Sequence, residues 1–209
     1  MAQSAIRVDL ALVLAVDCSS SVDEADFRMQ MDGIAAAIRN PPLLDAIRAG
    51  QFRQIAVTLL QWSSRKSQDV TIDWRLLAAN ADVESFARDA ERAKRKWQPG
   101  GTGLAAAMTY GVALLEMLPV LATRRVIDVS GDGEDNDGGS AAQARDEAVA
   151  RGITINGLPI LNGAVGLENY YRIQVMGGDE SFITPASNIL TFKDVMQRKL
   201  LREVAQLNA

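Results

Sequence analysis

Residues 10–16, Leu-Ala-Leu-Val-Leu-Ala-Val, form an unbroken apolar run that stops abruptly on Asp17-Cys18-Ser19-Ser20-Ser21. A run without the polar alternation of a half-exposed strand reads as a strand buried on both faces. Such strands belong to parallel sheets covered by helices on each side. The run falls far short of the ~20 apolar residues that span a bilayer. Arg7 ahead of it gives a passing likeness to an export signal, but Asp9 lies beside the run and Asp17 stands where a small residue would precede cleavage. The run is therefore expected to be the first strand of the fold.

The rest of the chain alternates in the same way. Apolar spacing at Phe27, Met31, Ile34 and Ile38 predicts a helix over 24–38, stopped by Asn40-Pro41-Pro42 and followed by a short helical turn to 48. Strands are expected at 55–62 and 70–74, joined by a hairpin loop over 63–68. A charged helix over 83–96 follows, then a glycine-rich loop over 99–103 and an alanine-rich helix over 104–118 that Pro119 ends. A strand over 125–129 leads into the acidic loop 130–139, then come a helix over 141–151 and a strand over 153–160. Residues 161–178 are hard to read beyond a helix over 167–175. A short last strand at 182–184 and a closing helix over 192–206 complete the pattern. No repeat or linker interrupts it, so the expectation is one domain over 8–206, with 161–206 packed on a core carried by 8–160. The fold class is α/β: a doubly wound, mostly parallel central sheet with one antiparallel edge strand and helices on both faces.

Composition narrows the chemistry. The chain has no histidine and one cysteine, so imidazole-based nucleophiles, imidazole or thiolate metal cages and internal disulfides are excluded. A net charge of −4 and a pI near 5.0 speak against nucleic-acid binding, which needs a concentrated basic face. The one basic cluster, Lys94-Arg95-Lys96, is expected to end the helix before it, where positive charge complements the helix dipole. The oxygen donors that remain suit hard cations such as Mg²⁺, Ca²⁺ or Mn²⁺.

In doubly wound sheets ligands sit outside the carboxyl ends of the strands, where the winding direction reverses. The first loop there carries Asp17, Ser19 and Ser21, alternate residues that project to one side if the backbone leaves the strand extended. Ser21 with Glu24 also fits a helix-capping box. The loop after strand 125–129 carries Asp132 between glycines, and the helix-to-helix loop carries Thr102, a lone hydroxyl that also suits a helix cap. Asp128 within its strand either supports this region from behind or bonds to nearby backbone. Glu134, Asp135 and Asp137 are expected to form a solvated acidic rim. Cys18, Trp62, Trp74 and Trp97 are expected to pack rather than bind.

Asp17-x-Ser19-x-Ser21 closing an apolar strand, then Gly-Gly-Thr, then Gly-Asp-Gly closing a later strand, resembles the von Willebrand factor type A domain over residues 8–160. More narrowly, VDLALVLAVD, GGTG, RRVIDVSGDG and GITINGLPI resemble a bacterial subfamily of these domains with no assigned function, DUF1194-like. The resemblance implies a metal-ion-dependent adhesion site in which Asp17, Ser19, Ser21, Thr102 and Asp132 hold a divalent cation, Mg²⁺ foremost, with Mn²⁺ or Ca²⁺ as alternatives. It also implies a protein partner whose acidic residue completes the coordination, action as a monomer without membrane insertion, and a periplasmic or secreted location, with a cytoplasmic one as the alternative. Members of that group usually carry an export signal, which is missing here or was removed. Two other functions compete: a Mg²⁺-dependent phosphoryl-transfer or hydrolytic enzyme using Asp17, and an assembly subunit whose site is vestigial.

Overall fold

The computed structural model describes residues 5–96 and 100–205. These form one five-stranded sheet of order β3-β2-β1-β4-β5, comprising β1 (Arg7–Asp17), β2 (Ile55–Trp62), β3 (Gln68–Leu77), β4 (Leu121–Gly131) and β5 (Thr154–Pro159). All neighbours pair in parallel except β2 with β3. β1 sits at the centre because its side chains are apolar in both directions. Leu10, Leu12, Leu14 and Val16 face one layer, and Ala11, Val13 and Ala15 face the other. Each leucine buried here contributes roughly 1.5–3 kcal/mol. Asp9 is buried at the start of the run and accepts the Phe52 N–H at 2.9 and 3.1 Å.

The first layer holds α1 (Glu24–Ile38), α2 (Pro41–Ala49), α3 (Asn80–Arg92) and the closing helix, and the second holds α4 (Leu104–Glu116) and α5 (Ala141–Ala150). The short α6 (Leu167–Tyr170) joins the second layer and runs straight into a π-helical turn, Tyr171–Val175. The closing helix, α7 (Phe192–Ala205), follows a 3₁₀ turn at Ile189–Thr191 and packs on α1. The expected α/β class, edge strand and two helical layers are all present.

Three expectations need correcting. The segment 182–184 is no full strand: it touches β5 through a single bridge, Gly157 with Ile183. The predicted helix over 167–175 changes from α to π at Tyr171. The charged helix begins at Asn80 and ends at Arg92, not at Lys96, because the 94–96 backbone turns to meet the sheet. There the Gln61 side chain bonds to Lys94 O and Lys96 N, each at 2.9 Å. The basic cluster therefore lies outside the helix it was expected to end.

Asp128 supports neither the site nor backbone. On its strand it faces the first layer, where buried Lys199 of α7 approaches Oδ1 at 2.8 Å and Glu203 Oε1 at 3.0 Å. Burial pushes Asp128 up to about 6 against the pull of the Lys199 charge. Burial pulls Lys199 down, but the two carboxylates more than offset that and hold it above its ordinary value. Asn156 of β5 links Glu203 to the Phe182 N–H, and Lys199 lies 4.7 Å from the Phe182 ring centroid. This buried ionic cluster fastens α7 to the sheet.

Candidate metal centre

The chain winds from β1 outward to β2 and β3, then returns to the other side of β1 for β4 and β5. The reversal lies between the carboxyl ends of β1 and β4, where Asp17 and Asp132 emerge, in the crevice where such sheets take ligands. Asp17 is fully buried, and its Oδ1 accepts the Ser19 N–H at 2.7 Å. Ser19 Oγ lies 3.3 Å from Ser21 Oγ, and Ser21 Oγ donates to Asp132 Oδ1 at 2.5 Å. Ser21 is free to do so because the cap of α1 is Asp23, which accepts the Asp26 N–H at 2.8 Å. The capping-box reading of Ser21 is thus set aside.

Thr102 reaches the same place through its neighbours. Ser20 donates to Gly100 O from both backbone (3.1 Å) and hydroxyl (2.9 Å), tying the first loop to the glycine loop. A Cβ added at Gly133 would lie 3.3 Å from Thr102 Oγ1, so the threonine faces the residue after Asp132. Asn136 clamps it: Oδ1 accepts the Thr102 N–H at 2.8 Å, the Asn136 N–H bonds to Thr102 O at 3.0 Å, and Nδ2 reaches Oγ1 at 3.4 Å. Thr102 does not cap α4. That task falls to Asp135, whose Oδ2 accepts the Ala105 N–H at 2.7 Å.

The five predicted residues therefore lie together at one rim, Ser21 exposed and Asp17, Ser19 and Thr102 buried. Burial pushes Asp17 up to about 7, with the Asp132 charge adding to the rise and hydrogen bonds from Ser19 opposing it. Asp17 Oδ2 is buried and finds no hydrogen-bond partner. Among the described residues there is nowhere a group of three or more acidic or cysteine side chains that could hold a metal ion, so ion binding here would depend on hydroxyls and water as well as carboxylates.

Several contributors escaped the sequence reading. Arg95, counted only as helix-end charge, donates to Cys18 O and Ser19 O, both at 2.9 Å, and braces the first loop. Gln30 of α1 donates to Asp17 O at 3.1 Å. The acidic rim is only partly solvated: Glu134 is exposed, but Asp135 caps α4 and Asp137 accepts the Arg65 N–H. Asn136 and Asp135 sit in a loop whose density of Asx residues was a visible signal. Arg95 had none, since its partners are backbone carbonyls far away in the chain. Cys18 and Trp62 are buried and Trp74 is half-buried, as expected of packing residues; Trp97 lies outside the described residues. Among the described residues no helix is long and apolar enough to cross a membrane.

Comparison with known proteins adds the family. Among solved structures, the vWF domain of the type V pili tip protein Mfa5 from Porphyromonas gingivalis superposes with a TM-score of 0.66 at 9% identity, covering 96% of each chain. A von Willebrand factor type A protein from Catenulispora acidiphila gives 0.61 at 14% identity, over 96% of this chain and 43% of that one. Proximal thread matrix protein 1 from the mussel byssus, with a zinc-occupied MIDAS motif, gives 0.60 at 13% identity, over 94% and 46%. This chain thus spans less than half of the latter two. Curated proteins return no match. The model of the family described as "Protein of unknown function (DUF1194)" matches residues 7–208. Joined to the shared fold, that match makes the chain a member of the DUF1194 family, built on the von Willebrand factor type A fold.

Proposed function

We propose that the protein is a divalent-cation-dependent binding module, with Asp17, Ser19, Ser21, Thr102 and Asp132 as the ion's protein ligands and a protein presenting an acidic side chain as its partner. The observation that carries this reading is the buried Asp17 carboxylate at the junction where Ser19 Oγ lies 3.3 Å from Ser21 Oγ and Ser21 Oγ donates to Asp132 Oδ1 at 2.5 Å. A carboxylate removed from water without a counter-charge is strongly disfavoured, and a cation among these oxygens relieves that penalty. Two carboxylates match a divalent charge, and three hydroxyls are hard, neutral donors. The set suits Mg²⁺ first, with Mn²⁺ or Ca²⁺ able to use the same atoms. When bound, such an ion supplies a positive centre at the rim to which a partner's carboxylate can attach.

The same geometry disfavours Asp17 as a nucleophile or base in hydrolysis or phosphoryl transfer. Asp17 is fully buried, its Oδ1 accepts the Ser19 N–H, and a carboxylate committed to the ion leaves no open approach for a substrate. Likeness to a pilus tip domain and to a zinc-bearing byssus protein supports an adhesive role and a periplasmic or secreted place.

Titration calorimetry with MgCl₂ or MnCl₂ tests the reading. Binding is expected, with a melting temperature that rises with ion concentration because only the native form binds; the gain is about 2.7 kcal/mol at a hundred times Kd. Asp132→Ala should abolish both effects while leaving circular dichroism and chelated stability near wild type. Absence of heat and of thermal shift with every divalent ion would refute the proposal.

A further inference from the structure

Beneath the rim lies a feature that the loops do not explain. Asp17 is in register with Trp62 on β2, and the pairing of Val16 with Ser130 sets Gly131 of β4 on its other side. Trp62 and Asp17 face the α4–α5 layer, as does the position of Gly131. Tyr171, the first residue of the π-helical turn, is fully buried in that layer. A Cβ at Gly131 would lie 2.9 Å from Asp17 Oδ2, 2.9 Å from the Tyr171 hydroxyl and 3.1 Å from Trp62 Cζ2. A Cβ at Gly157 of β5 would lie 2.8 Å from Tyr171 Cδ1. Glycine inside a strand marks close approach of another group. Here two glycines on adjacent strands let one aromatic ring lie against the sheet, with its hydroxyl beside Asp17.

Asp17 Oδ2, the Tyr171 hydroxyl and Trp62 Nε1 are all buried and all lack a hydrogen-bond partner. Their chemistry is complementary: a carboxylate oxygen only accepts, an indole N–H only donates and a phenol can donate. Each such atom left alone is strongly disfavoured, so three around one spot point to a shared contact, made directly or through one buried water. The neighbouring residue strengthens the case. Tyr170 accepts the Asp135 N–H at its hydroxyl, at 3.1 Å, so consecutive tyrosines reach both the Asp17 and Asp132 loops. The helix turns from α to π between them, and π turns gather at functional sites because they re-aim side chains.

We propose that Tyr171 is a positioning residue of this centre, its hydroxyl holding the Asp17 carboxylate from below with help from the Trp62 indole, so that the segment after β5 is part of the site and more than a closure of the core. The contact with Asp17 stands on geometry alone; its consequence for an ion rests on the function proposed above. Tyr171→Phe keeps the ring on its glycines and deletes only the hydroxyl.

Two measurements separate the ideas. In chelator, urea midpoints of Tyr171→Phe, Asp17→Asn and the double variant should be non-additive, with the Tyr171→Phe shift smaller in the Asp17→Asn background. In MnCl₂ titrations Tyr171→Phe should bind about 10–100-fold more weakly, the usual loss when a residue supporting a metal ligand is removed. Tyr110→Phe, altered on the exposed face of α4, should behave as wild type. Additive urea shifts overturn the Tyr171–Asp17 contact. Coupled shifts with unchanged Mn²⁺ affinity overturn the positioning role. A wild type that binds no Mn²⁺ sinks the metal reading alone, and the urea cycle still decides the contact.

Discussion

Replacing Asp17 by Asn should make the ion-free protein more stable, although it removes a proposed metal ligand. Asp17 is fully buried, and burial raises its carboxyl from 3.8 to about 7. At about 1.4 kcal/mol for each tenfold change in proton affinity, that rise corresponds to roughly 4 kcal/mol held against the ionised native state. The pH window follows from the direction of the shift. Below about pH 3 both native and unfolded states keep the proton and the group has no effect. As pH rises the unfolded chain ionises first, so stability falls until the native carboxyl also ionises near 7, after which the loss is constant. Asn keeps an oxygen to accept the Ser19 N–H, now at 2.7 Å, and carries no charge to desolvate. Urea denaturation in chelator at pH 8 should therefore show Asp17→Asn ahead by up to ~4 kcal/mol, or roughly 10 °C in melting temperature for a domain of this size. The margin should shrink to about 2 kcal/mol at pH 5 and vanish near pH 3. Excess Mg²⁺ should stabilise the wild type and leave the variant unchanged. A variant less stable than wild type in chelator at pH 8, or a margin independent of pH, would refute the reasoning.

Two further outcomes follow from the packing. Lys199→Met leaves Asp128 and Glu203 buried without their shared cation and should destabilise by about 3–5 kcal/mol at neutral pH; a urea-measured loss below about 1 kcal/mol would contradict the account of how α7 is fastened. Arg95→Met removes the donors to Cys18 O and Ser19 O while keeping a long stem. It should weaken Mn²⁺ binding about tenfold with little change in circular dichroism, and unchanged affinity in calorimetry would show that the first loop holds its shape unaided.

Much of the architecture was legible because it is written in neighbouring residues. The run at residues 10–16 reads as a covered strand, and the 3.6-residue spacing in α1 predicted a helix with the observed bounds, Glu24–Ile38. The Asp17 and Asp132 loops were legible because strand ends in such sheets point to one rim, and the Thr102 loop because its Gly-Gly-Thr matched the family pattern. The misreadings share one cause. Lys94-Arg95-Lys96 looked like a helix end because local charge fits a dipole, yet Arg95 answers to carbonyls 76 and 77 residues away. Asp128 looked like a neighbour of the site by strand parity, yet its partner comes from the last helix.

The sequence by itself determined most of the strands and helices, that helices cover the sheet on both faces, that Asp17, Ser19, Ser21 and Asp132 stand at strand-end loops, and that Thr102 stands in a glycine loop between two helices. Those properties depend on periodicity and turn chemistry within a few residues. Only the tertiary structure decided that Ser21 turns to Asp132 across 111 positions rather than capping its own helix, that Asn136 holds Thr102, and that Tyr171 lies over Gly131 and Gly157 beside Asp17. Such contacts form when distant strands come into register, and no local pattern carries the register of a partner it has not yet met.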